Sequence, residues 1–157
     1  MIILRKKINL RNKTFAKVSE MPEPFQIPKE WNKYKIKIRV EGTDRYDREI
    51  SQFPKDEREL IKQYWKDLEN NYLYSDHPDR PNGKTEYLEE FSKPYKKNRP
   101  FHRLTKRINI FDRFDYLVYP PELEEQSDGT YKVIIPVTIQ SLKDHNIAGQ
   151  KKYSETN

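Results

Sequence analysis

The chain has 157 residues, enough for one domain, and 31 Lys and Arg against 25 Asp and Glu give it a net charge of +6. Charged residues make up 36% and hydrophobic ones 34%, and no stretch approaches the ~18 consecutive apolar residues of a membrane span. The absence of cysteine excludes disulfides, thiolate metal sites and cysteine nucleophiles, three histidines argue against a structural zinc site, and the start MIILRKKINL, with its cations after the apolar residues, is not expected to be a secretory signal.

Residues 2–10 read as a strand, and 19–32, with three prolines, as an ordered loop that cannot be helix. Residues 33–40 give the cleanest strand, because Tyr34, Ile36, Ile38 and Val40 alternate with Lys33, Lys35, Lys37 and Arg39. Glu41–Asp47 reads as a charged turn around Gly42. A long helix is predicted over Pro54–Asn71. Pro54 suits its first position, Asp56, Glu57 and Glu59 complement its dipole, and Leu60, Ile61, Tyr64, Trp65, Leu68 and Tyr72 form one apolar stripe. Residues 75–84 are turn material. A shorter helix is predicted over Thr85–Ser92 with Thr85 as N-cap. Residues 93–103 are basic and interrupted by prolines, and 104–119 hold one or two strands, most clearly Phe114–Tyr119. Tyr131–Gln140 pairs with an earlier strand through a loop containing Asp128-Gly129, and Pro136 argues for an edge or a bulge. The expected fold is a single α+β domain over residues 1–148, a mostly antiparallel sheet packed against the two helices, followed by a polar, loose tail at 149–157.

Charge is segregated along the chain. Residues 1–39 carry eleven basic and three acidic side chains, residues 40–92 eight and fourteen, and residues 93–157 twelve and eight. Two basic segments around an acidic one can hold a polyanion across a carboxylate site, and local fluctuation of charge gives the same order. On the 33–40 strand, Lys33, Lys35, Lys37 and Arg39 project from one side about 7 Å apart, a spacing comparable to that of DNA phosphates. A second run, Lys93, Lys96, Lys97, Arg99, Arg103, Lys106 and Arg107, contains no acid and interleaves Tyr95, Phe101 and His102, which supplies cations for phosphates and rings for frayed bases.

The acidic centre offers Asp76, Asp79, Glu86, Glu89 and Glu90, with His77 and Lys84 beside them. Phosphodiester hydrolysis needs a group or a divalent cation that makes hydroxide, and positive charge against the developing phosphorane. On a helix, Glu86, Glu89 and Glu90 share a side, and spacing leaves the three nearly equivalent. Asp112 and Asp115 could also hold a metal, provided the strand bends between them. His77-Pro78-Asp79 followed by Glu90-Phe91-Ser92-Lys93 approximates the PD-D/E-x-K pattern, with a short gap and a Glu-to-Lys spacing one residue too long. There is no GxxxxGK, GxGxxG or serine elbow, so no nucleotide cofactor is expected.

The stretches WNKYKIKIRVEGTDRYDREI and HPDRPNGKTEYLEEFSKPYKKNRPFH carry a resemblance over essentially the whole chain. It resembles the small basic nucleases of Acidianus filamentous viruses, lipothrixviruses of hot acidic springs. The excess of Lys, Arg, Glu, Ile and Tyr fits such an environment. The resemblance implies an α+β fold loosely like nucleotidyltransferases, cleavage of linear double-stranded DNA, a viral protein acting in the host cytoplasm, and a catalytic glutamate in KTEY, here Glu86. The expected machinery is therefore Glu86 as metal ligand or general base, Lys84 and His77 as electrostatic or proton-transfer helpers, and Glu90 as a second ligand. A hard-oxygen site of this kind takes Mg2+ or Mn2+. Lys33, Lys35, Lys37, Arg39, Lys96, Lys97, Arg99, His102 and Arg103 are expected to hold the DNA. The alternatives are a non-catalytic viral DNA-binding protein using the same surfaces, and a virion protein meeting an acidic partner.

Overall fold

A computed structural model of the chain describes residues 27–91 and 100–143. The strand expected at 2–10, most of the 19–32 loop, Lys93, Lys96, Lys97, Arg99 and the tail lie outside the described residues. The part of that loop that is described contains one 3-10 turn, Lys29–Trp31.

β1 spans Lys35–Gly42 and turns Ile38 and Val40 inward, as its alternation requires. The Thr43 hydroxyl then accepts a hydrogen bond from Tyr46 N at 3.1 Å and caps a helix, α1 (Asp44–Ile50), where the sequence suggested only a turn. Its single buried side chain is Tyr46, so no apolar stripe betrays it. α2 spans Lys55–Glu69 and buries Ile61, Tyr64 and Leu68. It starts at Pro54, which stays extended as N-cap, and ends where Asn71 takes a left-handed φ of 75°.

The segment expected as a second helix is a strand, β2 (Thr85–Glu90), paired antiparallel with β3 (His102–Arg107). Leu88 and Phe91 lie three apart and imitate helical spacing. The buried Thr85 decides against it: its hydroxyl donates to Ser75 O at 3.3 Å and its N–H to Asp76 Oδ1 at 2.7 Å, fixing the strand's start. A bulge at Leu88 then shifts the register, so Tyr87 faces Leu104 while Glu89 faces Arg103.

β4 (Arg113–Val118), β5 (Glu122–Glu125) and β6 (Tyr131–Ser141) complete a six-stranded sheet of order β1-β6-β4-β3-β2, with β5 beside the first half of β6. Among the strand pairs of the described residues only β1–β6 is parallel, and Arg113 and Lys143 form one further isolated parallel bridge. Pro136 sits at neither an edge nor a bulge. Its carbonyl accepts from Tyr119 N at 2.9 Å, on the side where the neighbour of β6 changes from β5 to β4. The N–H that proline lacks would point to that same side, into the interruption made by Pro120 and Pro121. α2 packs on one face of the sheet, where Ile38, Val40, Leu104, Phe114, Tyr116, Val137 and Ile139 join Ile61, Tyr64 and Leu68 in one core. Gly83 lies against this core so closely that a Cβ would stand 2.2 Å from the Tyr64 hydroxyl, which is engaged with Arg107 O.

Candidate nucleic-acid interface

Strand register assigns side chains to faces. Thr105 lies between Glu86 and Asp115, and Arg103 lies between Glu89 and Leu117, which itself faces Thr138. Thr138 lies beside Glu41 of β1, so Lys35, Lys37 and Arg39 belong to the same face as Glu86, the face away from α2. Four strand spacings separate β1 from β2, about 19 Å. The centre of this face is closed: Leu117, Ile134, Arg103, Thr105 and Asp115 are all buried. Its two edges are exposed.

At the β2 edge, Glu86 is exposed. Arg107 N donates to Lys84 O at 3.3 Å, which continues the ladder one residue ahead of β2 and sets Lys84 two positions before Glu86. The exposed Arg107 completes this corner. Glu86 and Glu90 do not come together. The Leu88 bulge gives Glu89 the place on Glu86's face that a regular strand would give Glu90, and Glu90 instead accepts from Tyr87 OH at 3.2 Å on the other face. Among the described residues no three His, Asp or Glu side chains gather as a metal cage.

At the β1 edge, Lys35 and Lys37 are exposed, and the parallel register adds Lys132 beside Lys35, a neighbour no sequence pattern indicates. Arg39 is occupied: its Nη2 stands 2.6 Å from Glu124 Oε1. Lys33 precedes the strand, with its ammonium 5.2 Å from the centre of the Tyr34 ring.

The basic run reads differently in three dimensions. Arg103 donates through Nε and Nη2 to the two oxygens of Asp115, at 3.1 and 3.0 Å, in a buried bidentate pair. Gln140, the extra residue of a second bulge, adds a bond to Asp115 at 3.2 Å. Asp115 is thus committed to Arg103, and Asp112 closes the β3–β4 turn with Asn109, so the two aspartates form no joint site. Lys106 is buried under α2, where its Nζ donates to Thr85 Oγ1 at 2.8 Å and Ser75 O at 3.1 Å. Burial pushes its pKa down to about 8, against the opposing pull of Asp76 and Asp67.

His102, expected on the DNA surface, is a core residue at 2% exposure, bonded to Tyr74 OH and ringed by Tyr74, Tyr87 and Phe101. Burial pushes its pKa down to about 3, so it is neutral at pH 7. The unfolded chain binds this proton near pH 6.5 and the folded chain only near pH 3, so folding loses stability as pH falls between them. The group should cost on the order of 3 kcal/mol by pH 4.5. Urea unfolding of wild type and His102→Phe at pH 7 and 4.5 measures this. The gap between the two pH values should shrink by about that amount in the variant.

His77 stands on the helix side of the sheet, its Nε2 3.9 Å from Asp67 Oδ1 on α2 and its Nδ1 accepting from Asp79 N at 3.0 Å. Glu86 projects from the opposite face, so His77 is not its neighbour. The buried Asp67 also holds the half-buried Arg80 at 3.0 Å, and this ion pair, absent from the sequence reading, fastens the 71–84 loop to α2.

No protein-family model, curated protein or solved structure matches the chain. Among the described residues no helix is long and apolar enough to cross a membrane.

Proposed function

We propose that the protein is a deoxyribonuclease that hydrolyses phosphodiester bonds of linear double-stranded DNA, as the resemblance to lipothrixvirus nucleases implies. Its place of action is the host cytoplasm during infection, and the closer likeness to nucleotidyltransferases belongs to the same reading. The observation that carries it is one sheet face with an exposed carboxylate beside two cations at one edge, Glu86 with Lys84 and Arg107, and a lysine cluster at the other, Lys35, Lys37 and Lys132. The separation of about 19 Å lets the lysines hold the polyanion while the carboxylate edge acts on it.

Glu86 takes the proton of the attacking water as its oxygen bonds to phosphorus. Lys84 and Arg107 oppose the negative charge that builds on the phosphorane, and solvent water protonates the departing ester oxygen as its bond to phosphorus breaks. His77 takes no part beside Glu86. Magnesium needs only one or two carboxylates plus substrate phosphates. Glu86 and Glu89, on one face, fit that requirement, and Glu86 with Glu90 does not. Mg2+ or Mn2+ there would supply charge neutralisation and a more acidic bound water.

The second reading, a viral DNA-binding protein without catalysis, uses the same exposed lysines and treats Glu86 as an ordinary surface acid. Magnesium-dependent shortening of an end-labelled linear duplex separates the two. The lysine edge is tested apart from cleavage. Lys35→Ala with Lys37→Ala should weaken binding to all sequences alike and lower the salt slope by about two units. Folding stability should change by under about 0.5 kcal/mol, since both side chains are exposed. Arg39→Ala should do less, because Glu124 already holds that guanidinium. Fluorescence titration at several salt concentrations reads the binding of both variants, and urea unfolding reads their stability. An unchanged slope in the double variant would show that this edge is merely solvated.

A further inference from the structure

β1 is the marginal strand of the sheet, so among the described residues its outer backbone groups have no ladder partner. A groove of about 340 Å³ lies at the start of this strand, lined by Lys35, Ile36, Lys37, Ile38, Glu69 and Lys132. Lysines alone would only guard an open edge against pairing with another strand. Here they share a cavity with apolar surface from the half-buried Ile36 and the buried Ile38. They also share it with a carboxylate, Glu69 at the end of α2, which Trp65 Nε1 holds through Oε2 at 3.2 Å. Tyr34, next to Lys35 and on the face of Ile36, stacks on Tyr131 with ring centres 5.9 Å apart, and both rings are half-buried. Glu124 lies beside Lys132 but is bound to Arg39, so the groove keeps an excess of positive charge.

We propose that this groove holds the unpaired terminal nucleotide of a linear DNA strand, its phosphate among Lys35, Lys37 and Lys132 and its base against Ile36, Ile38 and the Tyr34–Tyr131 stack. This rests on the DNA reading above and adds the part of the substrate that the lysine edge recognises. Ammonium groups suit the phosphate, and an unstacked base gains by covering apolar and aromatic surface whatever its identity. The Glu69 carboxylate can accept from a base amino group or a terminal sugar hydroxyl. A base inside a duplex must first leave its stack to enter a groove of this size, whereas one in an overhang or at a frayed end is already free. Closed circular DNA offers no such nucleotide, so the groove accounts for the linear preference that the DNA reading expects.

The test uses the full chain carrying Glu86→Gln, so that the DNA stays intact, and two probes of one sequence and length. One is a linear duplex with short single-stranded overhangs, the other a covalently closed minicircle. The parent should bind the linear probe about tenfold more tightly at equal salt, near the lower end of what stacking one base is worth. Adding Ile36→Ser, or Tyr34→Ser outside the β1 ladder, should bring the two probes within about twofold of each other, with affinity for the circle and its salt slope unchanged. Thermal unfolding identifies the variants that are folded. A folded variant that keeps the full preference for ends overturns the proposal. A parent that binds both probes equally also overturns it and leaves the DNA reading standing. A parent that binds neither probe at low salt overturns both. A parent that is a dimer in light scattering and dissociates with Ile36→Ser, its preference for ends unmoved, would assign the groove to a second copy of the chain and overturn the nucleotide site.

Discussion

Glu86→Gln should reduce DNA cleavage by at least a hundredfold while leaving duplex affinity within a few-fold of wild type. Losing a positioned acid–base group costs about 10²–10⁴ in rate, and the amide keeps the side chain's shape without its charge or basicity. Folding should be untouched, because Glu86 is exposed and forms no ion pair among the described residues. Glu90→Gln should do far less, since the Leu88 bulge puts Glu90 on the opposite face. Glu89→Gln should fall between them if Glu89 shares a cation with Glu86. Single-turnover cleavage of an end-labelled duplex measures all three. Activity of Glu86→Gln within a few-fold of wild type would sink the assignment.

Asp115→Asn should cost about 3–5 kcal/mol of folding stability, because it leaves the Arg103 guanidinium buried without its counter-charge. The side chains of the pair are 5% and 0% exposed, so water cannot take over that role. Replacing both, Arg103→Met with Asp115→Leu, should recover most of the loss, since no buried charge then remains unpaired. Denaturant unfolding at pH 7 reads both. A loss below about 1 kcal/mol for Asp115→Asn would show that the pair is not structural. The expected loss removes Arg103 from the set of residues available to DNA phosphates and gives it to the sheet.

What the sequence disclosed depended on whether a local pattern agreed with the tertiary contacts. β1 and α2 were legible because Ile36, Ile38 and Val40 alternate and Ile61, Tyr64 and Leu68 recur with helical period, and both patterns are buried as written. β2 was not, because its helical spacing lost to pairing with β3 and to the anchoring of Thr85 by Ser75 and Asp76. α1 was hidden by charge, with Thr43 its one local signal. A run of cations reads as surface, yet Arg103 and Lys106 are interior because each meets a polar partner set by register, Asp115 for one and Thr85 with Ser75 for the other. The carboxylates show how little a sequence fixes a site: one bulge at Leu88 exchanges Glu90 for Glu89 beside Glu86. The shared face of Glu86 and the β1 lysines follows from pairings across the whole sheet, which no local pattern encodes.

The most direct measurement is a gel assay of the pure protein on linear and closed circular duplex DNA, with Mg2+, with Mn2+ and with excess EDTA. The expected result is loss of the linear duplex with either metal, slower or no loss of the circular one, and no cleavage in EDTA. Linear DNA that stays intact under every condition, while still being bound, would contradict the account and leave a DNA-binding protein in its place.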